Sequence, residues 1–153
     1  MMSLQEISDR LEIQDLFARY SYAIDDRDMP ALETVFTKDA VIDYTAAGGI
    51  RGSVAEIQRW LPEAMARFPS FQHMVATSEI KLDGDKATTR TILFNPMVYP
   101  TDDGGQQVFF IGLWYRDKLV RTPEGWRIAE RVEHMSYVHN APPMPPVPDT
   151  PAA

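Results

Sequence analysis

Residues 107–138 read QVFFIGLWYRDKLVRTPEGWRIAERVEHMSYV, and the fold turns on how this stretch is read. Gln107 to Val120 carries the aromatic and β-branched side chains of a long strand. Thr122-Pro123-Glu124-Gly125 is a turn, after which Trp126 to Val138 forms the next strand. Upstream, Asp102-Asp103-Gly104-Gly105 is a loop. Ala87 to Tyr99 is a strand in which Pro96 marks a bulge or an edge position. Asp83-Gly84-Asp85 is a hairpin-type turn that closes a strand running from Phe71 to Leu82. The period changes before residue 70. Ser3 with Glu6 is a capping box, opening a helix that ends near Asp25 with Ile7, Leu11, Ile13, Leu16, Phe17, Tyr20 and Ile24 at helical spacing. Asp28 and Pro30 start a short second helix, Asp39–Tyr44 reads as a short strand, and Gly48-Gly49 as a turn. Ser53 with Glu56 caps a third helix, which Pro62 should kink or divide. Helices first, then strands joined by short turns, define an α+β protein: an antiparallel meander covered on one face by helices.

The segment VFFIGLWY is apolar on both faces. One face can pack on the helices, and the other should not meet water. The expectation is a homo-oligomer, a dimer or trimer, joined through the outer sheet face. The domain should span residues 1–140. The proline-rich tail APPMPPVPDTPAA, residues 141–153, cannot continue a sheet.

Composition narrows the function. The 153 residues include 44% hydrophobic and 24% charged side chains, the profile of a globular protein. There is no cysteine, which removes disulfides, thiolate metal sites and a cysteine nucleophile. A net charge of −7 suits neither a phosphate backbone nor an anionic membrane surface. The polar start MMSLQEISDRLEIQD has no leader pattern, and no apolar run spans a bilayer, so a cytoplasmic location is expected. No nucleotide-binding glycine motif and no metal-binding motif is present, so no metal and no cofactor is expected.

Three groups could carry chemistry. His73 shares a face with Phe71 and Val75, which aims it into a curved sheet, where it is either a general base or an ordinary interior histidine. Asp25, Asp26 and Asp28 close the first helix. Asp25 lies at the inner margin beside Ile24, and a carboxylate at a helix C-terminus gains from a cationic partner. On the last strand, alternation places Trp126, Ile128, Val132 and His134 on one face and Arg127, Arg131 and Glu133 on the other. Arg131 therefore enters the interior only if a bulge re-aims it. Tyr20, Tyr44, Trp60, Arg131 and His134 are the candidate lining of a binding pocket.

The segments IQDLFARYSYAIDDRD, VFTKDAVIDY, FQHM and WRIAERVEHMSY, in that order and spacing, resemble the SnoaL-like branch of the nuclear transport factor 2-like superfamily. The resemblance covers residues 3–140 and is nearest to the hexachlorocyclohexane dehydrochlorinases and, more distantly, the scytalone dehydratases. It implies a cone-shaped pocket within a curved antiparallel sheet wrapped around N-terminal helices. It also implies an Asp25–His73 dyad that removes a proton from a small, cyclic, hydrophobic molecule, with Arg131 matching an arginine of the dehydrochlorinases. Tyr20 stands where those enzymes have a lysine, and Asn95 is the nearest equivalent to the second pocket histidine of the dehydratases. The implied activity is a cofactor-free lyase or isomerase. A ligand-binding or accessory subunit of the same fold is the alternative.

Overall fold

The computed structural model describes residues 1–142, so all but the first two residues of the proline-rich tail lie outside it. Helix α1 spans Leu4–Asp25, capped by Ser3, whose hydroxyl accepts from the Glu6 amide while Glu6 returns the bond. Its buried face is Asp9, Ile13, Leu16, Phe17, Tyr20, Ala23 and Ile24. Ile7 and Leu11 are exposed instead. In these first turns the inward position belongs to Asp9, which accepts bonds from Gln5, Arg121 and the Trp126 indole. The Arg121 guanidinium beside Asp9 holds that carboxyl at about 2, and the pair ties α1 to the final hairpin.

A 3-10 turn, Met29–Thr34, capped by Asp28, leads into β1 (Phe36–Asp43). A second 3-10 turn (Thr45–Ala47) precedes β2 (Arg51–Ser53). Helix α2, Val54–Met65, starts at the expected Ser53–Glu56 capping box and is not divided by Pro62. A proline's fixed φ is helical, and its missing amide forfeits one bond close to the C-terminus. The remaining strands are β3 (Ser70–Phe71), β4 (Met74–Asp83), β5 (Lys86–Pro100), β6 (Gln106–Thr122) and β7 (Gly125–His139). They form one sheet in the order β2-β1-β7-β6-β5-β3, with β4 also on β5. Every pairing is antiparallel except β1 on β7, which is parallel and departs from a pure meander. The helices fill the concave side, so the fold is the expected α+β one.

Bulges set which side chains face inward. Thr77 is an extra residue in β4 with a left-handed φ of 53°, a costly conformation for a β-branched residue. It lets Phe71, His73 and Val75 point inward before it and Ile80 after it. In β7, Lys118 faces Glu130 while Leu119 faces Ile128, so Ala129 is inserted. Alternation inverts there: Trp126 and Ile128 are buried before the bulge, Arg131 and Glu133 after it. A second shift inserts Ser136 and lays the Tyr137 ring over Gly112, where any Cβ would fall 2.2 Å from that ring.

Candidate active site

Asp25 reaches its position because α1 stops there. Arg27 takes the left-handed conformation (φ 58°), its amide bonds Ile24 O, and Asp28 N–H bonds Ala23 O. This is a Schellman stop with arginine where glycine is usual. The arginine is retained by its own contacts. Its guanidinium donates to Phe68 O at 2.7 Å and Met65 O at 3.3 Å and lies over the Phe71 ring. The end of α1 is thereby pinned to the segment that carries His73.

His73 sits in the gap between β3 and β4. Gln72 N–H bonds Pro96 O across to β5, and Pro96 has no amide to return. The next amide, that of His73, points away from β5 toward the open edge, where the Asp25 carboxylate receives it at 3.0 and 3.1 Å. The same carboxylate lies 2.7 Å from His73 Nδ1. A carboxylate can only accept, so Nδ1 carries a proton. Nε2 of the neutral ring is then an acceptor, and Asn95 Nδ2 donates to it at 3.2 Å. Asn95 is 4% exposed and its Oδ1 has no partner. Asp25, His73 and Asn95 therefore form one hydrogen-bonded array. Nε2 is thus covered by the Asn95 amide.

Deeper in the sheet lies a second polar group. Arg131 is completely buried, and Asp117 grips its Nε and Nη2 at 2.8 Å each. Burial opposes the charge, but the Asp117 carboxylate holds Arg131 protonated well above its ordinary range. The guanidinium lies over two nearly perpendicular rings, those of Tyr115 and Tyr20, 3.9 and 4.2 Å from their centroids. Tyr20 Oη lies 2.7 Å from Tyr44 Oη and 3.2 Å from Tyr115 Oη. Burial pushes all three phenols above their usual range, so each keeps its proton.

Tyr20, Tyr44 and Arg131 are thus brought together. Trp60 is half-buried on α2, its ring against the Gly49 turn. His134 is a correction. The Ala129 bulge turns it to the outer face, where it is exposed and borders a groove of about 330 Å³ with Arg90 and Arg116. That groove and two further clefts, of about 520 and 450 Å³, lie outside the concave side and do not touch His73. Asp117, Tyr115 and Glu133 are missing from the sequence-derived site. For the first two a signal existed: the alternation Phe109, Leu113, Tyr115, Asp117, Leu119 places both inward.

The tautomer assignment has a direct check. Free imidazole in water carries its proton mainly on the nitrogen remote from the chain, so an Nδ1–H ring in this protein is the work of Asp25. Nitrogen-15 spectra of the neutral ring should show a protonated Nδ1 and a bare Nε2. Asp25→Ala should move the proton to Nε2, and an unchanged spectrum would count against the array.

A protein with this sheet and interior has the cystatin-like fold of the nuclear transport factor 2-like superfamily. The SnoaL-like domain model matches residues 5–132, and the chain belongs to that family. An uncharacterized Mycobacterium tuberculosis protein is 53% identical over 133 residues, covering 87% of this chain and 89% of its own. Among solved structures, a Novosphingobium aromaticivorans protein provisionally assigned as a scytalone dehydratase superposes with a TM-score of 0.81 at 16% identity, over 94% of each chain. A type 2 hexachlorocyclohexane dehydrochlorinase, LinA, superposes with a TM-score of 0.72 at 18% identity, over 92% of this chain and 97% of its own. At these identities the two structures establish the shared fold. No helix among the described residues is long and apolar enough to cross a membrane.

Proposed function

We propose that this protein is a cofactor-free lyase or isomerase that takes a proton from carbon on a small, cyclic, largely hydrophobic molecule. The observation that supports this best is the Asp25–His73–Asn95 array. Asp25 fixes the tautomer that leaves Nε2 basic and stabilises the imidazolium once Nε2 has taken the proton. Asn95 must give way before Nε2 can take that proton. Turning its amide by half a rotation brings the unpartnered Oδ1 to the new Nε2–H. The electron pair of the broken C–H bond either expels a leaving group from the neighbouring carbon or moves into a conjugated carbonyl. A dehydratase and a dehydrochlorinase on this fold agree with such chemistry in kind. Tyr20, Tyr44 and Arg131 are the groups for the developing negative charge.

A second reading, a binding or accessory subunit without turnover, draws on the covered Nε2. One experiment separates the two. Cyclic ketones and β-hydroxy ketones are incubated in D₂O and followed by proton NMR. An enzyme exchanges or eliminates at the activated carbon, and His73→Ala stops it. A pure binder leaves every C–H at its uncatalysed rate.

The assembly proposal also stands on this chain's own residues. Met74, Ile92, Val108 and Tyr137 are exposed on the outer face around the stacked Phe94–Phe110 pair. Such a patch favours self-association. Light scattering at micromolar concentration should give a dimer or trimer mass. Ile92→Lys together with Val108→Lys should lower it to that of a monomer, and a wild-type monomer would sink the proposal.

A further inference from the structure

The Ala129 bulge that turns Arg131 inward leaves His134 on the outer face of the sheet, at the groove of about 330 Å³ that it borders with Arg90 and Arg116. The charges around this groove cancel in pairs except at its middle. Glu79 lies opposite Arg90 in the β4–β5 ladder but turns to Lys81, 3.4 Å away. Lys118 pairs with Glu130 at 3.0 Å, and Asp117 belongs to Arg131 on the concave side. Arg90 and Arg116 remain. They stand directly opposite one another in the β5–β6 ladder, where like charges destabilise a sheet. Among the described residues Arg116 and His134 have no hydrogen-bond or ion-pair partner, and Arg90 has only the Trp114 ring, 4.5 Å from its guanidinium.

Two unopposed arginines set face to face are unexpected in a chain of net charge −7. Folded proteins break such local rules mainly where function requires it. The groove indicates what the missing partner is. Cross-strand neighbours stand about 5 Å apart at Cβ, so both guanidinium groups reach one small anion. Each offers a fork of N–H donors that matches phosphate oxygens, and Trp114 restrains the Arg90 fork. The Thr88 hydroxyl and a His134 ring N–H border the same groove. A carboxylate is satisfied by one fork; two forks with further donors match the three terminal oxygens of a phosphate monoester. The carboxylates of Glu79 on the β4 side and Glu130 on the β7 side flank the groove and oppose a long polyanion.

We propose that Arg90 and Arg116, bordered by Thr88 and His134, form a second binding site, on the outer face of the sheet, for the phosphate group of a small soluble phosphate monoester. The site faces the opposite side of the sheet from His73 and is independent of the proposed proton transfer. It lies beyond Ile92 and Trp114 from the stacked Phe94–Phe110 pair, so the apolar end of the same face stays available for self-association.

The test is a calorimetric titration of the full chain in Tris chloride at pH 8, where a phosphate monoester is doubly charged. Glycerol 3-phosphate should bind with a Kd of about 1 mM or tighter, and acetate at least about tenfold more weakly. Arg90→Gln and Arg116→Gln should each weaken the ester about tenfold or more, the effect of losing charge-assisted hydrogen bonds. Lys38→Gln, the same loss of charge at an exposed position on β1, should leave it unchanged. Stability should move the other way. Arg116→Gln relieves the like-charge pair, so its melting temperature in phosphate-free buffer should rise, and its weaker binding is then not unfolding. A lowered melting temperature would mean that Arg116 is already compensated within the molecule, which overturns the site. So does no binding of the ester at about 10 mM, equal binding of acetate, or an equal loss in Lys38→Gln. Vesicles containing phosphatidic acid should not carry the chain down on centrifugation; co-sedimentation that Arg116→Gln abolishes overturns the soluble ester in favour of a lipid headgroup. Light scattering of Arg116→Gln should give the wild-type mass. A fall in mass would mean that the carboxylates of a second copy fill the groove, and overturns the ester equally.

Discussion

Asp117→Ala should destabilise the fold by about 3–5 kcal/mol, the usual cost of leaving one member of a buried ion pair alone. The pair is as buried as a pair can be: neither side chain has measurable exposure, and the carboxylate grips the guanidinium with two 2.8 Å bonds. Without Asp117 the Arg131 charge would be left against the rings of Tyr20, Tyr115 and, farther off, Phe36, whose attraction of roughly 2 kcal/mol falls short of the desolvation involved. Asp117→Asn should lose less, because the amide oxygen can still accept one of the two bonds. The double variant Asp117→Leu/Arg131→Met should recover much of the loss, since it removes both desolvated charges at once. Urea denaturation with an unchanged m-value is the measurement. A loss below about 1 kcal/mol in the single variant would mean that water or another group compensates Arg131, contrary to the burial described above.

His73→Ala should slow the C–H exchange or elimination reaction by about 10²–10⁴-fold, the range that a positioned base supplies. Binding of an apolar ligand should change little. Asp25→Asn should slow the reaction as well. An amide can orient the ring, but it cannot stabilise an imidazolium as a carboxylate does, and it can turn its NH₂ toward Nδ1 and so favour the wrong tautomer. The array places Asp25 on two donors of one residue, the His73 ring and the His73 amide. Asp25→Ala therefore also opens the edge between β3 and β4, and should cost stability that His73→Ala does not. Exchange rates in D₂O read alongside thermal melts separate the two effects. A His73→Ala protein that retains wild-type exchange would remove the mechanism.

Much of this was legible in the chain. Capping boxes at Ser3 and Ser53, the helical spacing through Ile24, and the turns at Asp83-Gly84 and Glu124-Gly125 are local signals. Each is decided within a few residues, and the structure repeats them. His73 was readable as inward because Phe71 and Val75 share its parity and no bulge intervenes before Thr77. Asp25 was readable as its partner only through the family resemblance. A contact across 48 residues leaves no local trace.

The order of elements, their caps and turns, and the side of each strand up to its first irregularity were written in the chain. Those features follow from backbone sterics, hydrogen-bond capping and the alternation of side chains, all short-range. Everything downstream of a bulge, and everything that depends on closure, was settled by long-range packing. Ala129 is one extra residue in the β6–β7 ladder, yet it carries Arg131 and Glu133 to the concave side and His134 to the outside. The parallel seating of β1 on β7, with Ile42 opposite Arg131, belongs to the same class. A bulge is chosen because the neighbouring strand and the core accept it. Here the acceptance comes from Asp117, Tyr20 and Tyr115, which lie far apart in sequence and meet only when the sheet curls around α1.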